Sequence, residues 1–161
     1  MRRAFATALM TAAVTVAGMA TATAQSPHFI GEVTCTKSIT TGLSCSGKAA
    51  GLGSSPTAAF LTASSIDAEY VCVNRGGNVA PGQGVEFQQV VGPVQQIAPR
   101  NGQITFRDVR IPVPESPSAR DVCPNGNWRV QLLHLTFNDV TLHIQQNGVD
   151  ILTRDLGDID P

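Results

Sequence analysis

The sequence predicts an all-β fold: an immunoglobulin-like antiparallel β-sandwich of about eight or nine short strands. Three observations carry this. Apolar residues recur with a period near two, turn-forming residues interrupt them at short intervals, and no segment of the chain beyond the first twenty-five or so residues repeats at helical spacing. A small closed β-barrel fits the same pattern and stays open as the alternative.

Residues 29–36 alternate as a first strand, 38–42 form a polar turn, and 43–50 return. Residues 51–56, rich in Gly and Ser and closed by Pro56, form a loop. Residues 57–63 and 68–74 are expected as two strands, and 75–84 as a glycine-rich loop. Within that loop Ala80-Pro81-Gly82-Gln83 fits a type II turn, because Pro sets φ and Gly accepts a positive φ. Residues 85–91 form a strand that Gly92-Pro93 interrupts. In 103–113 the apolar residues change parity, from Ile104 and Phe106 to Val109 and Ile111, so a β-bulge is expected at Arg107-Asp108. Residues 112–126 are proline-rich and irregular. Residues 128–137 are apolar on both faces (Val130, Leu132, Leu133, Leu135) and read as a central strand covered on both sides. Val140, Leu142 and Ile144 then alternate with polar residues, and Asn147-Gly148 turns the chain into a last strand at 149–153.

The N-terminus combines Met1-Arg2-Arg3, an apolar stretch over 4–20, and Ala22-Thr23-Ala24 before Gln25. That is the layout of an export signal over 1–24, with a single domain over 25–161. The paired arginines partly resemble a twin-arginine signal without its usual flanking residues. Removing 24 of the 161 residues leaves 137, one domain by length. It also leaves 9 basic against 12 acidic residues. This mildly acidic balance argues against nucleic acid and against anionic lipid surfaces. No second apolar run long enough to span a bilayer follows, so no membrane anchor is expected. The expected product is secreted and monomeric.

Cys35, Cys45, Cys72 and Cys123 all follow the signal, and an even cysteine count in an exported chain implies disulfides. Of the three possible pairings, Cys35–Cys45 with Cys72–Cys123 is favoured. Cys35 and Cys45 flank a predicted hairpin, while Cys72 ends a strand and Cys123 precedes the central one. The spacing contains no Cys-x-x-Cys redox pair and no zinc-ligand cluster.

Catalytic signals are weak. There is no Gly-x-Ser-x-Gly elbow and no phosphate loop. No cofactor and no metal are expected. His28 lies near the new N-terminus and is expected to be mobile. His134 and His143, opposed on adjacent strands, would form with Asp139 and Asp150 the group to examine for a hydrolase or metalloenzyme. The acids Asp150, Asp155, Asp158 and Asp160 do not follow the spacing of a calcium loop and are expected to solvate the terminus. The segment 112–120 is the candidate loop for a protease inhibitor. Asn74, Arg75, Asn78 and Gln83 form a possible recognition loop, since loops at sandwich ends carry binding. Trp128, the only tryptophan, either packs on the nearby disulfide or stacks on a sugar. At 5% aromatic residues the chain is poor in the rings that a broad sugar platform needs.

Three segments, Leu43-Ser44-Cys45-Ser46-Gly47-Lys48-Ala49-Ala50-Gly51-Leu52-Gly53, Cys72-Val73-Asn74-Arg75-Gly76-Gly77-Asn78-Val79-Ala80-Pro81-Gly82-Gln83 and Cys123-Pro124-Asn125-Gly126-Asn127-Trp128, resemble a group of uncharacterised secreted proteins of actinobacteria. The resemblance spans most of the mature chain. It implies secretion, two disulfides and a β-rich fold, and brings no activity. A looser likeness is to the enediyne-carrying apoproteins, small secreted sandwiches that sequester an apolar drug. The spacing of Cys35 and Cys45 fits their first disulfide; their second closes a short loop, which Cys72 and Cys123 would not. The expected function is thus a non-enzymatic binding or interaction module whose partner is a protein, a glycan or a small apolar ligand.

Overall fold

The computed structural model describes residues 26–160. The expected export signal over 1–24 lies outside the described residues. The chain folds as two antiparallel sheets packed face to face, the predicted sandwich and not the barrel. Its elements are β1 (His28–Phe29), β2 (Thr34–Ser38), β3 (Gly42–Ala50), β4 (Thr57–Val73), β5 (Val79–Pro81), β6 (Val85–Val91), β7 (Gln95–Ile97), β8 (Gln103–Ile111), α1 (Ala119–Val122), β9 (Arg129–Gln146) and β10 (Val149–Ile159).

In the smaller sheet β3 is central. β1 and β2 pair with successive stretches of one side of it, and β8 pairs with the other. In the larger sheet β9 lies between β10 and β4, and β7, β6 and β5 line up along the far side of β4. Small residues on the inner faces (Gly47, Ala49, Ala59, Ala63, Ala68) leave room for large ones, and Phe106 lies directly over Gly47. Phe106, Phe137, Leu43, Leu61, Ile66 and Leu142 are fully buried between the sheets. That is the alternation of large and small that close packing requires.

Several expected elements are corrected. The strands expected over 57–63 and 68–74 are one strand, β4. Residues 128–137 and the alternating segment after them are likewise one strand, β9. The reason is visible in the register. Along one line across the larger sheet, each column has a pair of inward residues three apart instead of two: Phe87 and Val90, Ala63 and Ile66, Phe137 and Val140, Leu156 and Ile159. The irregularities lie side by side, so the sheet changes parity along one transverse line and pairing continues through it. Gln89 (φ 51°), Asp139 (φ 48°) and Gly157 (φ 66°) supply the left-handed residues on this line. The Ser64 hydroxyl donates to the Asp139 carboxylate (2.9 Å), and the Asp139 amide donates to Asp158 (2.9 Å). These polar residues read as a turn in sequence and act as a seam in the sheet.

The bulge expected at Arg107-Asp108 is present. Cys45 pairs with Val109 and Gly47 with Phe106, and Asp108 has φ 55°. The type II turn at 80–83 does not form: Ala80 and Pro81 belong to β5, whose pairing with β4 holds them extended. Residues 29–36 break at Gly31 (φ 71°) into β1 and β2. His28 is not loose; it lies in β1, opposite Ala50. The last strand runs beyond Thr153 to Ile159. Leu133 is not covered but 56% exposed, because β9 slips one residue against β4 between His134 and Leu132 and turns Leu133 outward.

Both sandwich edges are tied across the sheets. On one, Arg154 of β10 sits 4.8 Å over the Phe29 ring of β1. Lys37 of β2 donates to the Leu135 carbonyl at 2.7 Å, and Asp160 accepts from His134 (2.8 Å) and Thr136 (3.2 Å). On the other, the Gln95 amide donates to the Arg107 carbonyl (3.0 Å). The hydrogen bond from His134 chiefly holds the Asp160 carboxyl below its ordinary value of 3.8, with Thr136 and the charges of His134 and Lys37 adding to it and partial desolvation opposing. A lowered carboxyl pKa stabilises the fold above its unfolded value, and the contribution is lost as pH falls through the lowered one. We therefore expect the protection of amides around Ile159 and Asp160, taken against their intrinsic exchange at each pH, to fall as pH drops below 3.8. In Asp160→Asn that pH dependence should be absent, with protection already low at neutral pH.

Gly42 and Gly148 both have positive φ (86° and 77°), but only at Gly42 would a Cβ overlap the Ile111 carbonyl; at Gly148 it meets open space. Gly148→Ala should cost about 1–2 kcal/mol from φ alone. Gly42→Ala should cost more, about 3 kcal/mol or above, in urea unfolding of the two variants side by side.

Candidate functional site

The β4–β9 ladder ends at the pair Val73↔Arg129. One step beyond, Asn74 and Trp128 face each other at the mouth of two diverging loops. Asn74, Arg75 and Gly76 form one wall of the resulting cleft; Asn125, Asn127 and Trp128 form the other, around about 450 Å³. The Cys72–Cys123 disulfide ties the two loops together at their base, two residues from Asn74 and from Asn125. The chain uses its second disulfide, Cys35–Cys45, to link register partners of β2 and β3, with Cα atoms 4.1 Å apart. Two disulfides of this kind are the chemistry of proteins that fold in oxidising surroundings.

Each loop is closed by its own asparagine. The Asn78 amide donates to Asn74 Oδ1 (2.9 Å), and the Asn127 amide donates to Asn125 Oδ1 (3.0 Å). Asn78 thus completes the loop at its base and does not line the cleft. Gln83 is elsewhere: its main-chain amide donates to the Val122 carbonyl (2.9 Å) and ties the β5–β6 turn to α1. The expected recognition loop therefore divides, with Asn74 and Arg75 in the cleft and Asn78 and Gln83 supporting it. Trp128 is half-buried and lines the cleft. Asn125 and Asn127 join it; in sequence they look only like turn residues, and their role comes from the register that sets them opposite Asn74. Arg120 packs against Gly126, between the cleft residues Asn125 and Asn127, where a Cβ would come within 2.9 Å of its side chain.

A second concavity, about 490 Å³, lies on the outer face of the larger sheet, lined by Val71, Val79, Pro81 and the outward Leu133, with Glu69 at its rim. Val79 is 65% exposed. This groove is apolar, whereas the Trp128 cleft is polar.

His134 and His143 do not face each other. Both lie on β9, and each pairs with a different carboxylate of the last strand or the residue after it. His143 Nδ1 donates to Asp150 Oδ2 (3.1 Å), its Nε2 is hydrogen-bonded with the Thr62 hydroxyl (3.0 Å), and Phe60 stacks on the ring at 4.8 Å. A hydroxyl, imidazole and carboxylate in series are the elements of a proton relay. Thr62 and His143, however, sit within ladders paired on both sides, which engage the nearby main-chain amides that an oxyanion would require. Asp139 belongs to the sheet seam and not to this group. The four terminal acids are not merely solvated. Asp155 accepts from the Gly157 amide, Asp158 from the Asp139 amide, and Asp150 and Asp160 from the two histidines. Among the described residues no three His, Cys, Asp or Glu side chains converge as metal ligands. The proline-rich segment 112–118 runs exposed and half-buried into α1, which Ser118 opens by donating to Asp121 (2.7 Å).

The molecule at this point is a disulfide-stapled β-sandwich with a polar, tryptophan-bearing cleft at one open end. Compared with protein-family models, with curated proteins and with solved structures, the chain has no match in any of the three.

The Cys72–Cys123 link closes a loop of sequence separation 51. Replacing both cysteines by Ala should cost about 4 kcal/mol, against about 3 for Cys35 and Cys45, whose separation is 10. Only the Cys72/Cys123 pair should also change the Trp128 emission of the still-folded protein, read by fluorescence below the unfolding transition.

Proposed function

We propose that this protein is a secreted, non-enzymatic binding module whose site is the cleft between Asn74–Gly76 and Asn125–Trp128. The observation that carries the reading is the half-buried indole of Trp128, walled by amides and one guanidinium and anchored by a disulfide. A pre-braced cleft loses little entropy on binding, and one flat ring among directional polar groups fits a ligand with a flat apolar face and polar edges. Export follows from the N-terminal apolar segment together with the disulfides. The test is a screen of soluble glycans and peptides against the mature protein, read by the single tryptophan. A ligand of this site should bind at least tenfold more weakly to Trp128→Ala by calorimetry, and unchanged to His143→Ala. Binding that survives Trp128→Ala removes the reading.

A second reading, carriage of a small apolar ligand, is favoured by the outer groove, where the β9 slip leaves Leu133 exposed. Under it, an apolar dye would bind the wild type and Trp128→Ala alike and lose affinity for Leu133→Ser.

A further inference from the structure

Building on the cleft reading, we infer that the ligand is an acidic saccharide, one that carries a carboxylate on its ring. Asn74 Oδ1 and Asn125 Oδ1 are already committed to main-chain amides of their own loops. Their side-chain NH₂ groups therefore remain to face a ligand, alongside the Trp128 indole N–H and the Arg75 guanidinium. Asn127, whose carboxamide also lines the cleft, offers both a donor and an acceptor, so among the lining side chains donors outnumber acceptors and the cleft suits a ligand rich in acceptors.

Charge points the same way. No Asp or Glu lines the cleft, and among the described ion pairs none involves Arg75. A second cation, Arg120, packs against Gly126, which lies between the lining residues Asn125 and Asn127. The chain as a whole is net negative, so this positive spot is local and not part of a general basic surface. A planar guanidinium matches a carboxylate with two parallel hydrogen bonds. The apolar component of the site is one ring, without the aliphatic pockets that would hold peptide side chains. A single indole suits the C–H face of one sugar, and the flanking amides suit its hydroxyls.

The experiment titrates the full mature chain with oligogalacturonate and oligoglucuronate, and with the methyl esters of both as neutral controls. Trp128 emission and calorimetry are the readouts. The expected result is that at least one acid binds about tenfold or more tightly than its ester. That preference should shrink as ionic strength rises from about 50 to about 500 mM. Arg75→Gln, exposed in a loop and expected to fold normally, should bring acid and ester to equal affinity. Trp128→Ala should abolish binding of both; where that variant does not fold, Trp128→Leu reads the same loss. If acid and ester bind equally to the wild type, and Trp128→Ala abolishes both, the acidic preference is overturned while the cleft reading stands. If neither acid binds, or a peptide C-terminal carboxylate competes them off at tenfold lower concentration, the saccharide class is overturned. If an acid binds Trp128→Ala as well as wild type, the cleft reading and this inference fall together.

Discussion

Everything else in this molecule hangs on the pairing of β4 with β9. These are the two longest strands, 17 and 18 residues, and they stay in antiparallel contact from Thr57↔Gln146 to Val73↔Arg129 with one slip. Their inner faces carry much of the core, including Leu61, Ile66, Leu135, Phe137 and Leu142. Their far edges are the templates for β10 on one side and for β5, β6 and β7 on the other. A pair this long would accumulate twist and lose contact with a smaller partner sheet. The transverse seam through Ser64, Asp139 and their neighbours answers that constraint: all four columns change parity together, so the sheet re-aims its inner face without giving up its hydrogen bonds.

The alternation of apolar residues made the fold class legible, and the parity change from Phe106 to Val109 made one bulge legible, because there the apolar residues themselves record the shift. The seam was hidden for the opposite reason. Ser64-Ser65 and Asn138-Asp139 are turn-forming residues in isolation, and only matched irregularities on neighbouring strands turn them into a continuous structure. Leu133 misled differently. A segment with apolar residues at both parities (Val130, Leu132, Leu133, Leu135) looks buried on both faces, and the slip that exposes Leu133 depends on Glu69 and Tyr70, more than sixty positions earlier on β4. The site was half legible. Asn74, Arg75 and Trp128 attract notice by type, but their convergence is a matter of register, and Asn125 and Asn127 gain meaning only from what stands across from them.

The cleft illustrates how a sandwich obtains a rigid recognition surface from loops. Main-chain amides of each loop are satisfied by that loop's own asparagine, so the loops keep their shape before any ligand arrives. The disulfide fixes their separation. What remains for a ligand is the unspent half of each amide, which gives the surface a polarity that neither loop shows in sequence.

The span of the β4–β9 pair also bears on how the chain comes to be folded. Thr57 and Gln146 lie 89 positions apart, whereas the β2–β3 and β9–β10 hairpins close within a few residues. High contact order makes the first slow and the hairpins fast. Cys35–Cys45 therefore lies in an early, local unit, and Cys72–Cys123 joins residues that meet only once the long-range ladder has zipped. Oxidation of the second pair becomes a late event that locks in a completed topology, so the two cross-links record the beginning and the end of assembly.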